Sequence, residues 1–137
     1  MDPKDYALTV QNLLFQGVDF TTVEYMLERC SVRNLDANEK LLQPDIPNQH
    51  LYLILAGKLS VHLGAQETTE HASLFAGECA GEISIVDGKH PSALVVASEP
   101  TRVMAIPQDT VWSLVDRSHE VARNLLGIVA GRMRNDK

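Results

Sequence analysis

Phe75–Ala97, FAGECAGEISIVDGKHPSALVVA, decides how the rest of the chain is read. An apolar approach ends at Gly81. Glu82-Ile83-Ser84-Ile85 follows as one short helical turn. Asp87-Gly88 breaks it, Pro91 resets the backbone, and residues 93–97 resume as a buried strand. Glycine lets a main chain come close to a ligand. The free N–H groups of a helix start attract anions, and a carboxylate such as Glu82 accepts hydrogen bonds from sugar hydroxyls. The pattern fits a cradle for a small phosphate-bearing ligand. It also fits a plain turn and one helical turn between two strands, since glycine-rich turns are common.

Upstream, residues 50–63, HLYLILAGKLSVHL, carry the clearest β pattern. Leu51, Leu53 and Leu55 alternate with Tyr52, Ile54 and Ala56. After a turn at Gly57-Lys58, Leu59, Val61 and Leu63 alternate with polar neighbours. Residues 64–70 read as a polar hairpin turn, and 71–75 as the strand that feeds the cradle. Residues 1–30 read as two helices. The first carries Tyr6, Val10, Leu13, Leu14 and Phe15 and stops at Gly17. The second is capped by Asp19 or Thr21 and carries Val23, Met26, Leu27 and Cys30. Pro44, Asp45, Pro47 and Asn48 form a turn cluster.

Downstream, residues 102–106 (RVMAI) read as a strand ended by Pro107. Asp109 starts a helix with Val111, Trp112, Leu114 and Val115. Ser118 caps another, which runs to about Arg134 with Val121, Leu125, Val129 and Met133 on one face and Ala122, Leu126 and Ala130 beside it. That stripe is wide enough to pack on its own domain and to face a partner. Helices, many short strands, then helices imply a mainly β sandwich or barrel closed by helices at both ends.

The chain has 137 residues, 45% hydrophobic and 22% charged, which suits one soluble domain spanning 1–137. A formal net charge of −6 argues against devotion to nucleic acid or to an anionic membrane. Arg117, Arg123, Arg132, Arg134 and Lys137 gather toward the C-terminus, where a basic, solvated helix end suits the helix dipole. Two distant cysteines, Cys30 and Cys79, make no disulfide framework. No apolar run has transmembrane length, and the first ten residues lack signal-peptide form. A cytoplasmic location is expected.

Two segments carry a family resemblance. Gly81-Glu82-Ile83-Ser84-Ile85 with Pro91-Ser92-Ala93 resembles the phosphate-binding cassette of cyclic nucleotide-binding domains, such as those of the catabolite activator protein and the protein kinase A regulatory subunits. Residues 51–61 resemble that family's Leu-Tyr-x-Ile-x-x-Gly-x-Leu-x-Val segment. The resemblance covers nearly the whole chain. It implies a β jelly roll, helical at 1–30, β at 31–106, with a hinge helix and a longer helix over 108–135. It also implies a ligand set of Gly81, Glu82, Ile83, Ser84, Ser92 and Ala93. The ligand would be a cyclic nucleotide, cyclic AMP or cyclic GMP, with no resident cofactor or metal. One position departs. Where the family has an arginine paired with the cyclic phosphate, this chain has Ser92. An arginine fork matches phosphate oxygens, whereas a serine offers one neutral hydroxyl. Lys89, His90 and Arg102 are the candidates to supply the missing charge.

Three functions are weighed. The first is a non-enzymatic regulatory module whose C-terminal helices change angle when the cassette fills. The second is a ligand-free interaction or dimerisation module using Val121, Leu125, Val129 and Met133, with an unknown signalling partner and no DNA or membrane contact of its own. The third, a metal-dependent jelly-roll enzyme, needs closely spaced histidines. His50, His62, His71, His90 and His119 are scattered, so no catalytic residue is assigned.

Overall fold

The computed structural model describes residues 2–63 and 72–135. The expected hairpin turn at 64–70 and the start of the next strand at His71 lie outside them. Among the described residues, eight strands form two antiparallel four-stranded sheets: β1 Ser31–Leu35, β2 Lys40–Leu42, β3 His50–Ala56, β4 Lys58–Leu63, β5 Ala72–Phe75, β6 Cys79–Ala80, β7 Ala93–Ala97 and β8 Thr101–Pro107. One sheet runs β1-β8-β3-β6 and the other β2-β7-β4-β5. Helices α1 Pro3–Val10, α2 Phe20–Leu27, α4 Gln108–Arg117 and α5 His119–Asn135 flank them, and α3 Glu82–Asp87 interrupts the β order. This is the jelly roll with helices at its ends that the sequence implies.

β3 explains how the core is arranged. Leu51, Leu53 and Leu55 pack with the helices, alongside Leu14, Val23, Met26, Leu114, Val121 and Leu125. Tyr52 and Ile54, on the opposite face, pack between the sheets with Leu42, Leu59, Leu74, Val95 and Val103. A strand apolar on both faces reads as a continuous run because both faces are buried. Gly57 turns the chain from β3 into β4 at φ +98°, and a Cβ there would lie 2.5 Å from the Thr101 hydroxyl.

The N-terminal segment differs from the expected two helices. α1 stops at Val10, and Leu13–Phe15 is a separate 3₁₀ turn. Asn12 causes the break. Its Oδ1 accepts from the Leu14 N–H at 3.0 Å, while its Nδ2 donates to the Glu78 carbonyl at 3.1 Å. A side chain that bonds local backbone competes with the helix ladder. Asp19 stands at the N-cap of α2 without a side-chain cap bond. Ser118 does cap α5, accepting from the Val121 N–H at 3.2 Å.

Candidate functional site

The six residues read from the cassette, Gly81, Glu82, Ile83, Ser84, Ser92 and Ala93, all line one cavity of about 380 Å³ against the β2-β7-β4-β5 sheet. Its walls are mainly apolar, with Leu42, Val61, Leu63, Leu74, Pro91 and Val95 among them. The volume falls in the range of small-molecule pockets, about 300–1,000 Å³.

Gly81 opens the site in the left-handed region at φ +88°. An added Cβ would lie 2.8 Å from both Asn48 Nδ2 and the His50 carbonyl oxygen. Asn48 is the clamp behind this turn. Its Nδ2 donates to the His50 carbonyl at 2.8 Å and to Ser84 Oγ at 2.9 Å, and its Oδ1 accepts from the His50 N–H at 3.1 Å. The Ser84 hydroxyl in turn donates to the Gly81 carbonyl at 3.2 Å. The cassette start is thereby tied to β3.

Glu82 is 3% exposed. A carboxylate in such a place must be paired or neutralised. Its Oε1 accepts from Arg132 Nε at 2.6 Å, and Arg132 Nη2 donates to the Cys79 carbonyl at 2.7 Å. The other carboxylate oxygen, Oε2, is buried without a partner. Arg132 lies on α5, so the last helix is fastened to the cassette by an ion pair. Burial, and secondarily the nearby Glu82 carboxylate, pushes the Cys79 thiol far above its ordinary range. Cys79 is therefore an inert packing residue.

The second half of the cassette is different. Gly88, Lys89, His90 and Ser92 are exposed. Lys89 and His90 do not line the cavity. Arg102, the third candidate for the missing charge, pairs with Asp5 of α1 and does not line the cavity. None of the three takes the place of the arginine that Ser92 replaces. Among the described residues, the cation at the cavity is Arg132, a residue the sequence placed in a solvated basic end. A helical signal for it exists. Val121, Leu125, Ile128 and Arg132 follow steps of four, three and four, which hold one helix face. The steps of four that lead from Val121 to Met133 drift by about 40° each at 3.6 residues per turn. Met133 has accordingly left the buried face and is 61% exposed, whereas Val121 and Leu125 are buried in their own domain. The expected partner-facing stripe of Val121, Leu125, Val129 and Met133 is thus corrected. Its first two residues are core, Val129 packs partly against that core, and the large outward apolar residues of α5 are Leu126 and Met133.

Among the described residues, no cluster of histidine, cysteine and carboxylate side chains is arranged to hold a metal ion, and no helix is long and apolar enough to cross a membrane.

The roll, the inserted α3 and the cavity between sheet and last helix define a class, and sequence comparison agrees with it. The model of the cyclic nucleotide-binding domain matches residues 32–118, and the chain belongs to that family. The cyclic AMP receptor protein of Thermus thermophilus is 34% identical over 124 residues, which are 88% of this chain and 57% of that protein. The chain thus spans little more than half of that relative. The crystal structure of the Thermus thermophilus catabolite activator protein matches with a TM-score of 0.78 at 32% identity, over 91% of this chain and 60% of the other. A cyclic nucleotide-binding domain from Methylobacillus flagellatus matches with a TM-score of 0.79 at 27% identity, over 96% and 78%.

Proposed function

We propose that this chain is a ligand-responsive regulatory module. A small molecule, with cyclic AMP and cyclic GMP as the first candidates, fills the cavity against Gly81, Glu82, Ile83, Ser84, Ser92 and Ala93, and α5 reads its arrival. The observation that carries this reading is the Glu82–Arg132 pair. The residue best suited to bond a ligand hydroxyl is held by the helix best placed to move. A hydroxyl donor that reaches Glu82 shares the carboxylate with Arg132, and any shift in that ion pair is passed to α5. Only a ligand with different affinity for the two states can shift such an equilibrium. The shared use of Glu82 supplies that difference.

The test is a thermal-shift screen with cyclic AMP, cyclic GMP and cyclic di-GMP and with the uncharged nucleosides adenosine and guanosine, using Glu82→Ala as control. A ligand that binds only the folded state raises the melting temperature by mass action. We expect a shift that vanishes in Glu82→Ala. No shift with any compound at millimolar concentration, or a shift that persists in Glu82→Ala, would sink the reading.

A second reading rests on α5. Leu126 and Met133, 68% and 61% exposed, stand seven residues apart on its outer side, and a homodimer formed there would cover them. Light scattering on wild type and Leu126→Asp tests it, and an unchanged mass counts against the interface. Leu125→Asp is unsuitable for this purpose, because Leu125 belongs to the core.

A further inference from the structure

We infer that the ligand of this cavity is an uncharged, hydroxyl-bearing ring compound of nucleoside type, not an anionic nucleotide. This inference rests on the cavity being a ligand site, as proposed above. Among the described residues, the charged side chains lining the cavity are Glu78, Glu82 and Arg132. Two carboxylates face one guanidinium, and that guanidinium is already committed to Glu82 and the Cys79 carbonyl. A phosphate entering here meets no uncommitted countercharge from the cassette, where position 92 carries a neutral hydroxyl. Taking an ion out of water without pairing it costs several kcal/mol, and opening the Glu82–Arg132 pair to obtain a cation would leave Glu82 as the buried, unpaired charge. An uncharged ligand avoids both costs.

The cavity offers such a ligand complementary contacts. Glu82 lines the cavity and its Oε2 is buried without a donor; a ligand hydroxyl that displaces the packing over it supplies one. The Ser92 hydroxyl is exposed at the rim and pairs with either a donor or an acceptor. Leu42, Leu74 and Val95 give an apolar wall for a ring face. Hydroxyl recognition by a buried acceptor discriminates sharply, because an analogue lacking the hydroxyl leaves that acceptor unpaired.

The experiment is isothermal titration calorimetry of the purified chain with adenosine and guanosine against cyclic AMP and cyclic GMP. It is run on wild type, Glu82→Ala and Ser92→Arg. In wild type, at least one nucleoside is expected to bind about tenfold or more tightly than its cyclic nucleotide. That affinity should hold as NaCl rises from about 50 mM to about 500 mM, since screening acts on charges. Binding is lost in Glu82→Ala. Ser92→Arg adds a guanidinium at the exposed rim and is expected to tighten cyclic nucleotide binding about tenfold or more while leaving the nucleoside unchanged. Wild type preferring the cyclic nucleotide overturns the inference and gives the phosphate to Arg132 Nη1. Nucleoside binding that survives in Glu82→Ala overturns it as well. If wild type binds no nucleoside but Ser92→Arg binds a cyclic nucleotide, the inference fails while the ligand site stands. If neither protein binds any of the four compounds, both fail.

Discussion

The two halves of the cassette are built differently. In residues 81–85, Glu82, Ser84 and Ile85 are buried, Asn48 ties the backbone to β3, and Arg132 ties the carboxylate to α5. In residues 88–92, only Pro91 is buried, and the Lys89 N–H donates to Asp87 Oδ1 at 2.9 Å. The first half is part of what folds the roll. The second half carries the position where ligand charge would be read, and it sits outside the core. An exchange of arginine for serine at position 92 therefore alters the chemistry of the cavity at little cost in stability, whereas a change at Gly81 or Glu82 disturbs the fold first.

One added methyl group in each half separates the two most clearly. Gly81→Ala forces a side chain into the left-handed region and against the His50 carbonyl, which is backbone and cannot swing aside. Strain and overpacking each cost about 1–3 kcal/mol, so a loss of about 4 kcal/mol is expected. That corresponds to roughly 15 °C in melting temperature. Gly81→Ala melting within a few degrees of wild type would remove the claim that this turn is fixed by its surroundings.

Arg132→Ala comes next. Removing one partner of a buried pair leaves the other charge stranded, at about 3–5 kcal/mol. The Arg132 side chain is 23% exposed, so water entry brings the expected loss to the low end, about 3 kcal/mol. Glu82→Gln in the Arg132→Ala background should recover much of it, since coupled residues are not additive. An additive double variant, measured by urea denaturation, would show that the two groups do not act as a pair.

Gly88→Ala is the matching change in the second half. Gly88 also has positive φ, at +72°, but nothing lies within 4 Å of the added carbon. Only the left-handed penalty remains, about 1–2 kcal/mol. A loss as large as that of Gly81→Ala would erase the contrast between the halves.

The contrast also explains what the sequence could and could not reveal. β3, β4, β5, β7 and β8 were legible because alternation and short apolar runs are local signals, whereas β1, β2 and β6 show too little of either to be read as strands. The cassette was legible because its glycines and proline mark backbone turns within a dozen residues. Asn12, Asn48 and Arg132 were not. Each acts through bonds to groups 33 to 67 positions away, and no short pattern encodes such a pairing. Arg132 looked like a solvated helix end because basic residues commonly are. The end of α1 was misplaced for a related reason. The apolar period runs on through Leu13 and Leu14, and Asn12 becomes a breaking point by bonding the Leu14 N–H while the distant Glu78 carbonyl holds its amide.

The smallest expected effect concerns the support behind the first half. His50 donates its N–H to Asn48 and accepts from it at its carbonyl. Burial, and then the Arg33 guanidinium, holds its imidazole below the ordinary histidine value. A base whose folded value is depressed takes up its proton more readily when unfolded. The stability it contributes is thus complete above the unfolded value, about 6.5, and is lost as pH falls through the folded value. Melting temperatures measured from neutral pH downward should therefore fall more steeply below that point in wild type than in His50→Gln, which keeps the backbone bonds to Asn48 but has nothing to protonate. Parallel curves would mean that the imidazole is not burdened by its surroundings, and that Asn48 holds the turn through the backbone of β3 alone.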